Sequence, residues 1–260
     1  MAPSARSASA APAAGLSLQP LFPLALGTVQ LQPDPLETAL QLQAIRELQG
    51  SSLSNPDPGC AWTGDLNGAW QLHHDPRFQP LIAELSGHAW TYLERLGFER
   101  RALALHLQRC WPVVSEVGQV VGRHHHPNAH ISGVYYLNGD GSGRSGCLRF
   151  FPPVPANELV PGLAVGHGGP IRQASEEARL WNAPCWDLAP RAGLLVLFPS
   201  RIDHAVLENE DPDDSRFSIS FDLALSAPSG NSDGAAAEYL APHPGEWLEI
   251  EPPEHADPAT

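Results

Sequence analysis

The chain contains no lysine: all 15 of its basic residues are arginine. This excludes a Schiff-base lysine and the lysine of a phosphate-binding loop. Positive charge is scarce overall. With 29 acidic residues against 15 basic, the net charge is −14, which repels phosphate backbones and gives no footprint for nucleic acid. The cysteines are only four, Cys60, Cys110, Cys147 and Cys185; none forms a CxxC pair, and their spacing matches no zinc module. Without a secretory signal they are expected as reduced thiols in a cytoplasm. No stretch approaches the roughly 18 consecutive apolar residues of a membrane helix, so no membrane partner is expected. Residues 1–18, rich in Ala and Ser, lack the apolar core of a secretory leader and read as a disordered tail.

What is present fits one domain, residues 19–226, of a chain that is 42% hydrophobic. A first helix is expected over Asp34–Gln49. Asp34 caps it, Pro35 sits in the first turn, Glu37 completes a capping box, and Leu36, Ala39, Leu40, Leu42 and Ile45 form its apolar face. A second is expected from Pro80 to Leu96, with residues 50–78 as loop. After Arg101 the texture changes to short β runs: LALHLQRCWPVV, VGQVVGRHHH, HISGVYYLN, CLRFF, GLLVLFPS, HAVLE and RFSISFDLAL. The expected fold is mainly β with flanking helices, a small β-barrel or double-sheet jelly roll with the N-terminal α-helices packed outside. Residues 152–190, rich in Gly and Pro, read as an insertion or lid; residues 227–260 read as an acidic, Pro-rich tail. Oligomeric state leaves no signal.

Four of the twelve histidines fall in the seven positions His124–His130. On a strand, side chains alternate between faces, so His124 and His126 point one way and His125 the other. Two imidazoles on one face can share a metal ion, although a His-x-His in a loop is commonly just solvated. Downstream, GLLVLFPSRIDHAV sets a third histidine, His204, at the start of a strand.

From Leu207 to Thr260 there are 13 acidic residues and one basic residue, Arg216. If the acidic turn NEDPDD makes a hairpin, Arg216 lies on the order of 10 Å from His204 along the sheet, a span that suits a small dicarboxylate held between metal and guanidinium. Arg216, Ser218 and Ser220 share one strand face and Phe217, Ile219 and Phe221 the other. The competing reading of Arg216 is a local salt bridge to Asp211, Asp213 or Asp214. His130 reads equally as surface or pocket, His73 and His74 as surface, and Tyr135 as core.

Together, HHHP from His124, SGVYYLN from Ser132, FPSRIDHAV from Phe198 and RFSISF from Arg216 resemble the Fe(II)- and 2-oxoglutarate-dependent dioxygenases of the prolyl-hydroxylase type, in particular a branch of bacterial and phage proteins. The resemblance covers roughly residues 110–151 and 190–222. It implies a double-stranded β-helix (a cupin-like jelly roll) and an iron site. His124 and His204 match the two family histidines. His126 stands where the wider superfamily has a carboxylate and is taken as the third ligand, with Asp203 the alternative. Arg216 matches the clamp on the distal carboxylate of 2-oxoglutarate, and Tyr136 a hydroxyl that assists it; Ser218 and Ser220 fall on the same cosubstrate-facing side. The implied reaction couples oxidative decarboxylation of 2-oxoglutarate, giving succinate and CO2, to hydroxylation of a small-molecule or peptidyl substrate by O2. Ascorbate dependence is a family habit that no residue here signals.

Two other functions fit the same residues. A three-His cupin-type dioxygenase keeps the histidines but gives Arg216 no role. A non-catalytic barrel with a vestigial metal site binds a ligand or a partner instead.

Overall fold

The computed structural model describes residues 24–52, 57–153, 183–230 and 240–250. The expected N-terminal tail, nearly all of the 152–190 insertion and much of the acidic tail lie outside these residues. No described helix is long and apolar enough to cross a membrane.

Helix α1 spans Pro35–Ser51, and Asp34 caps it by accepting from the backbone N–H groups of Leu36 and Glu37 at 2.8 and 3.0 Å. No Glu37 side-chain bond completes a capping box among the described contacts. Its apolar face is also rotated from the expected one. Gln41, Ala44 and Ile45 are buried and Leu48 packs against the core, a 3- and 4-residue stripe, whereas Leu36 and Leu40 face solvent. Helix α2 spans Gln79–Arg95 and buries Leu81, Leu85, Ala89, Tyr92 and Leu93, much as its periodicity implies.

Ten strands make two antiparallel sheets. They are β1 (Gly27–Gln30), β2 (Trp62–Thr63), β3 (Ala104–Ser115), β4 (Val121–His124), β5 (Ile131–Tyr136), β6 (Leu148–Phe150), β7 (Trp186–Leu188), β8 (Leu194–Pro199), β9 (His204–Val206) and β10 (Arg216–Ser226). The larger sheet runs β1-β8-β5-β10-β3-β2 and the smaller β4-β9-β6-β7. The seven expected runs all hold a strand; β1, β2 and β7 are additional, β2 falling inside the expected loop. The double-sheet jelly roll is the observed architecture.

Alternation along β10 sorts its residues as expected. Phe217, Ile219 and Phe221 join one apolar cluster with Ile45, Phe78, Leu81, Leu85 and Leu93, so both helices cover the outer face of the larger sheet. Arg216, Ser218 and Ser220 line a cavity between the sheets.

The expected hairpin between His204 and Arg216 does not form. β9 pairs with β4 and β6, whereas β10 pairs with β3 and β5, so the acidic segment crosses from one sheet to the other. Buried Asn209 holds the crossing. Its Nδ2 donates to Ser115 O at 2.8 Å and Asp214 O at 3.0 Å, and its Oδ1 accepts from Asp211 N at 2.9 Å. Side-chain amides that copy backbone bonding stabilise such turns.

Gly133 on β5 lies opposite Phe221 on β10, and a Cβ there would sit 2.1 Å from the Phe221 ring. The ring occupies the space the glycine leaves. Gly133→Ala is therefore expected to cost about 1–3 kcal/mol through overpacking, read as a lowered denaturant midpoint with an unchanged slope; an unaltered midpoint would contradict this packing.

Candidate metal and cosubstrate site

His124 ends β4 and His204 opens β9, and the two are directly paired across the smaller sheet. His126 lies just beyond β4, where its backbone N–H donates to Ser200 O at 2.9 Å. One ring nitrogen from each of these three histidines lies within 4.8 Å of the others. The ring centroids of His124 and His204 are 4.3 Å apart, and those of His126 and His204 5.1 Å.

The remaining nitrogens fix the tautomers. Nδ1 of His124 is 2.7 Å from Gly122 O, Nδ1 of His204 is 2.9 Å from Ile202 O, and Nδ1 of His126 is 2.6 Å from Asp222 Oδ1. Carbonyl and carboxylate oxygens only accept, so each Nδ1 carries a proton and Nε2 is the nitrogen left to face a ligand. Burial pushes the pKa of His204 down to about 3 and lowers that of His124 too. Both rings are therefore neutral at neutral pH, the form that binds a metal. These three nitrogens fit a divalent iron: imidazole suits it, and the rings are already oriented by their other nitrogens.

The cavity has a volume of about 680 Å³ and runs from the histidines to Arg216. Arg216 is 1% exposed. Its Nη1 donates to Ser145 O and Gly146 O, both at 3.0 Å, while Nε and Nη2 have no partner among the described residues. The local salt bridge is absent: among the described residues Asp211 pairs with Arg144 and Asp214 accepts from Asn138. Gly146 is required here, because its φ of +88° favours glycine and a Cβ would sit 2.8 Å from Arg216 Nη1. Tyr136 is equally buried and its hydroxyl also lacks a partner among the described residues. Burial pushes that phenol up to about 12, so it stays protonated and can donate. Orphaned buried donors at the end of a cavity call for an anionic acceptor.

The sequence of residues 109–222 matches the family described as "Putative 2OG-Fe(II) oxygenase". That stretch is similar to the 2OG-Fe(II) oxygenases, over less than half of the chain. No curated protein matches the chain in sequence. Three solved structures show a similar fold. The α-ketoglutarate-dependent epimerase SnoN from nogalamycin biosynthesis is 19% identical at a TM-score of 0.52, covering 87% of each chain. The carbocyclase SnoK from the same pathway is 16% identical at 0.53, covering 88% of this chain and 90% of its own. AviO1 from Streptomyces viridochromogenes is 16% identical at 0.50, covering 77% and 90%.

The fold brings His124, His126, His204, Tyr136, Arg216, Ser218 and Ser220 onto the walls of one cavity. It sets Asp203, the alternative ligand, apart from the histidine cluster: that carboxylate accepts from Arg123 at 2.7 Å and lies 3.1 Å from half-exposed His125. His130 accepts from Leu225 N at 3.1 Å and is not among the residues lining the cavity. Tyr135 is core, as expected.

The sequence reading missed Asp222, Ser132 and Arg109. Asp222 has the same parity on β10 as Arg216, Ser218 and Ser220, so strand alternation could have found it. It also missed the cavity's outer lip, formed by Asp65, Leu66 and Asn67 in a short turn after β2.

If the histidines hold a divalent ion, Co(II) in excess should raise the melting temperature, with a stabilisation of about 2.7 kcal/mol at 100 times Kd. His204→Ala should abolish the rise while its far-UV circular dichroism stays that of the unaltered chain. A rise of equal size in the variant would place the ion elsewhere.

Proposed function

We propose that His124, His126 and His204 bind Fe(II), and that Arg216 and Tyr136 grip the distal carboxylate of 2-oxoglutarate in the same cavity. The chain would thereby hydroxylate a substrate, with succinate and CO2 released. The observation that carries this reading is the pair of unpartnered Arg216 nitrogens, Nε and Nη2, buried in a cavity that also holds three convergent imidazoles.

When bound, iron and 2-oxoglutarate supply the oxygen activation that the side chains cannot. The protein's part is placement. Arg216 is anchored through Nη1, so its free edge keeps one orientation and offers a fork that matches a carboxylate. The Tyr136 hydroxyl donates to the same carboxylate. Ser218 and Ser220 face the cavity from the same strand and add polar contacts beside the cosubstrate chain. Val134, Leu148, Phe198 and Val206 also line the cavity and help to exclude water from it. The substrate, peptidyl or amino-acid-like on the family resemblance, enters past Leu66, Trp111 and Pro127, opposite the Arg216 end.

A three-His dioxygenase without 2-oxoglutarate would leave the buried Arg216 donors unanswered, at a cost of several kcal/mol. The 2-oxoglutarate reading is preferred for that reason.

Anaerobically purified protein given Fe(II), 2-oxoglutarate and then O2 should form succinate slowly even without substrate. Arg216→Ala should weaken 2-oxoglutarate binding roughly 10- to 100-fold, the loss of charge-assisted hydrogen bonds worth about 1.5–3 kcal/mol, with metal stoichiometry unchanged by calorimetry. Metal binding without affinity for 2-oxoglutarate in the unaltered chain would favour the cupin-type reading, and absence of both would favour a binding module.

A further inference from the structure

Three neutral imidazoles leave a divalent ion one unit more positive than two histidines and a carboxylate would. The structure has a carboxylate one bond away from the ligand set. Asp222 is fully buried, and its Oδ1 accepts from His126 Nδ1 at 2.6 Å and from Ser132 Oγ at 2.7 Å. Its Oδ2 accepts from Arg109 Nη2 at 2.5 Å. Ser132, Asp222 and Arg109 are direct cross-strand neighbours on β5, β10 and β3. A register shift falls immediately after Asp222, where Leu223 pairs with Leu107 rather than the next residue in step. The three side chains therefore meet in one row beside His126.

The roles within the row follow from donor counting. An ionised carboxylate only accepts, so Ser132 donates its single proton to Asp222, and its oxygen accepts from the Ser200 hydroxyl 2.9 Å away. Arg109 also reaches Asp65 at 4.0 Å and lies over the Trp111 ring at 4.9 Å. Shared between two carboxylates, it leaves the Asp65–Arg109–Asp222 group with a net negative charge.

The three histidines are not treated alike. His124 and His204 give Nδ1–H to neutral backbone carbonyls; His126 gives it to a carboxylate. We propose that Asp222 is a positioning residue for the metal centre: through the His126 Nδ1–H bond it fixes that ring and returns to the ion the negative character that a third imidazole lacks. This rests on the reading of the three histidines as ligands. Carboxylate–histidine–metal arrays raise ligand basicity, and losing the carboxylate typically weakens metal binding 10- to 100-fold.

The test is a double-mutant cycle on metal affinity, with Co(II) as the probe and no turnover required. Asp222→Asn should weaken Co(II) binding about 10- to 100-fold in the otherwise unaltered chain. In a His126→Asp background the carboxylate is already a ligand, and Asp222→Asn should leave affinity unchanged or raise it by removing a like charge. Equal losses in both backgrounds would mean a merely structural role and overturn the proposal, as would no loss in the first. Failure of the unaltered chain to bind Co(II) would instead overturn the ligand reading beneath it. Should Asp222→Asn not fold, the Zn(II)-loaded native chain still decides. Its His126 Nδ1–H proton, identified by its disappearance in His126→Asp, should resonate downfield of those of His124 and His204. Equal shifts would overturn the proposal.

Discussion

Arg216 is sealed from water, and among the described residues its Nε and Nη2 have no partner; in the proposed function an anion brought from outside matches this buried cation. Much of the local architecture serves that condition. Two backbone carbonyls, of Ser145 and Gly146, hold Nη1 and fix the free edge of the guanidinium. A glycine at 146 is what lets the backbone come that close. Burial pushes the Arg216 pKa down from its ordinary value, yet a guanidinium starts so high that the group remains charged. On the proposed function, ligand binding relieves this unfavourable electrostatic state, which would make the site selective for a carboxylate over a neutral isostere.

The opposite end of the cavity depends on pairing between strands far apart in sequence. His124 and His204 become neighbours because β4 and β9 are antiparallel partners, and His126 joins them from the turn beyond. Each ring is held by its Nδ1, so the ligating edges are set before any ion arrives. Preorganisation of this kind reduces the conformational entropy lost on binding. The two ends are joined by β10, which carries both Arg216 and Asp222; one strand therefore positions the proposed cosubstrate clamp and the carboxylate behind His126.

The strand runs, the jelly-roll class and the two faces of β10 were legible because period-2 alternation records burial directly. The helix boundaries were nearly so, since Asp34 and Pro35 are local signals. The apolar face of α1 was not. Leu36 and Leu40 are apolar but exposed, and Gln41 is polar but buried, because the face is chosen by what packs against it rather than by the helix itself. The supposed hairpin between His204 and Arg216 failed for a similar reason. An acidic, turn-rich segment reads the same whether it reverses within a sheet or crosses between two; what decides is buried Asn209, anchored to Ser115 far upstream. The parity of Asp222 on β10 was legible, but its role was not, because its partners, Arg109 and Ser132, come from two other strands and only the register brings them together.

The most direct measurement is anomalous diffraction at the iron edge from crystals grown anaerobically with Fe(II) and 2-oxoglutarate. One iron peak among the Nε2 atoms of His124, His126 and His204, with the distal carboxylate of 2-oxoglutarate on the free edge of Arg216, is the expected result. An iron peak away from these rings, or a cosubstrate carboxylate bound elsewhere while Arg216 stays unpaired, would contradict it.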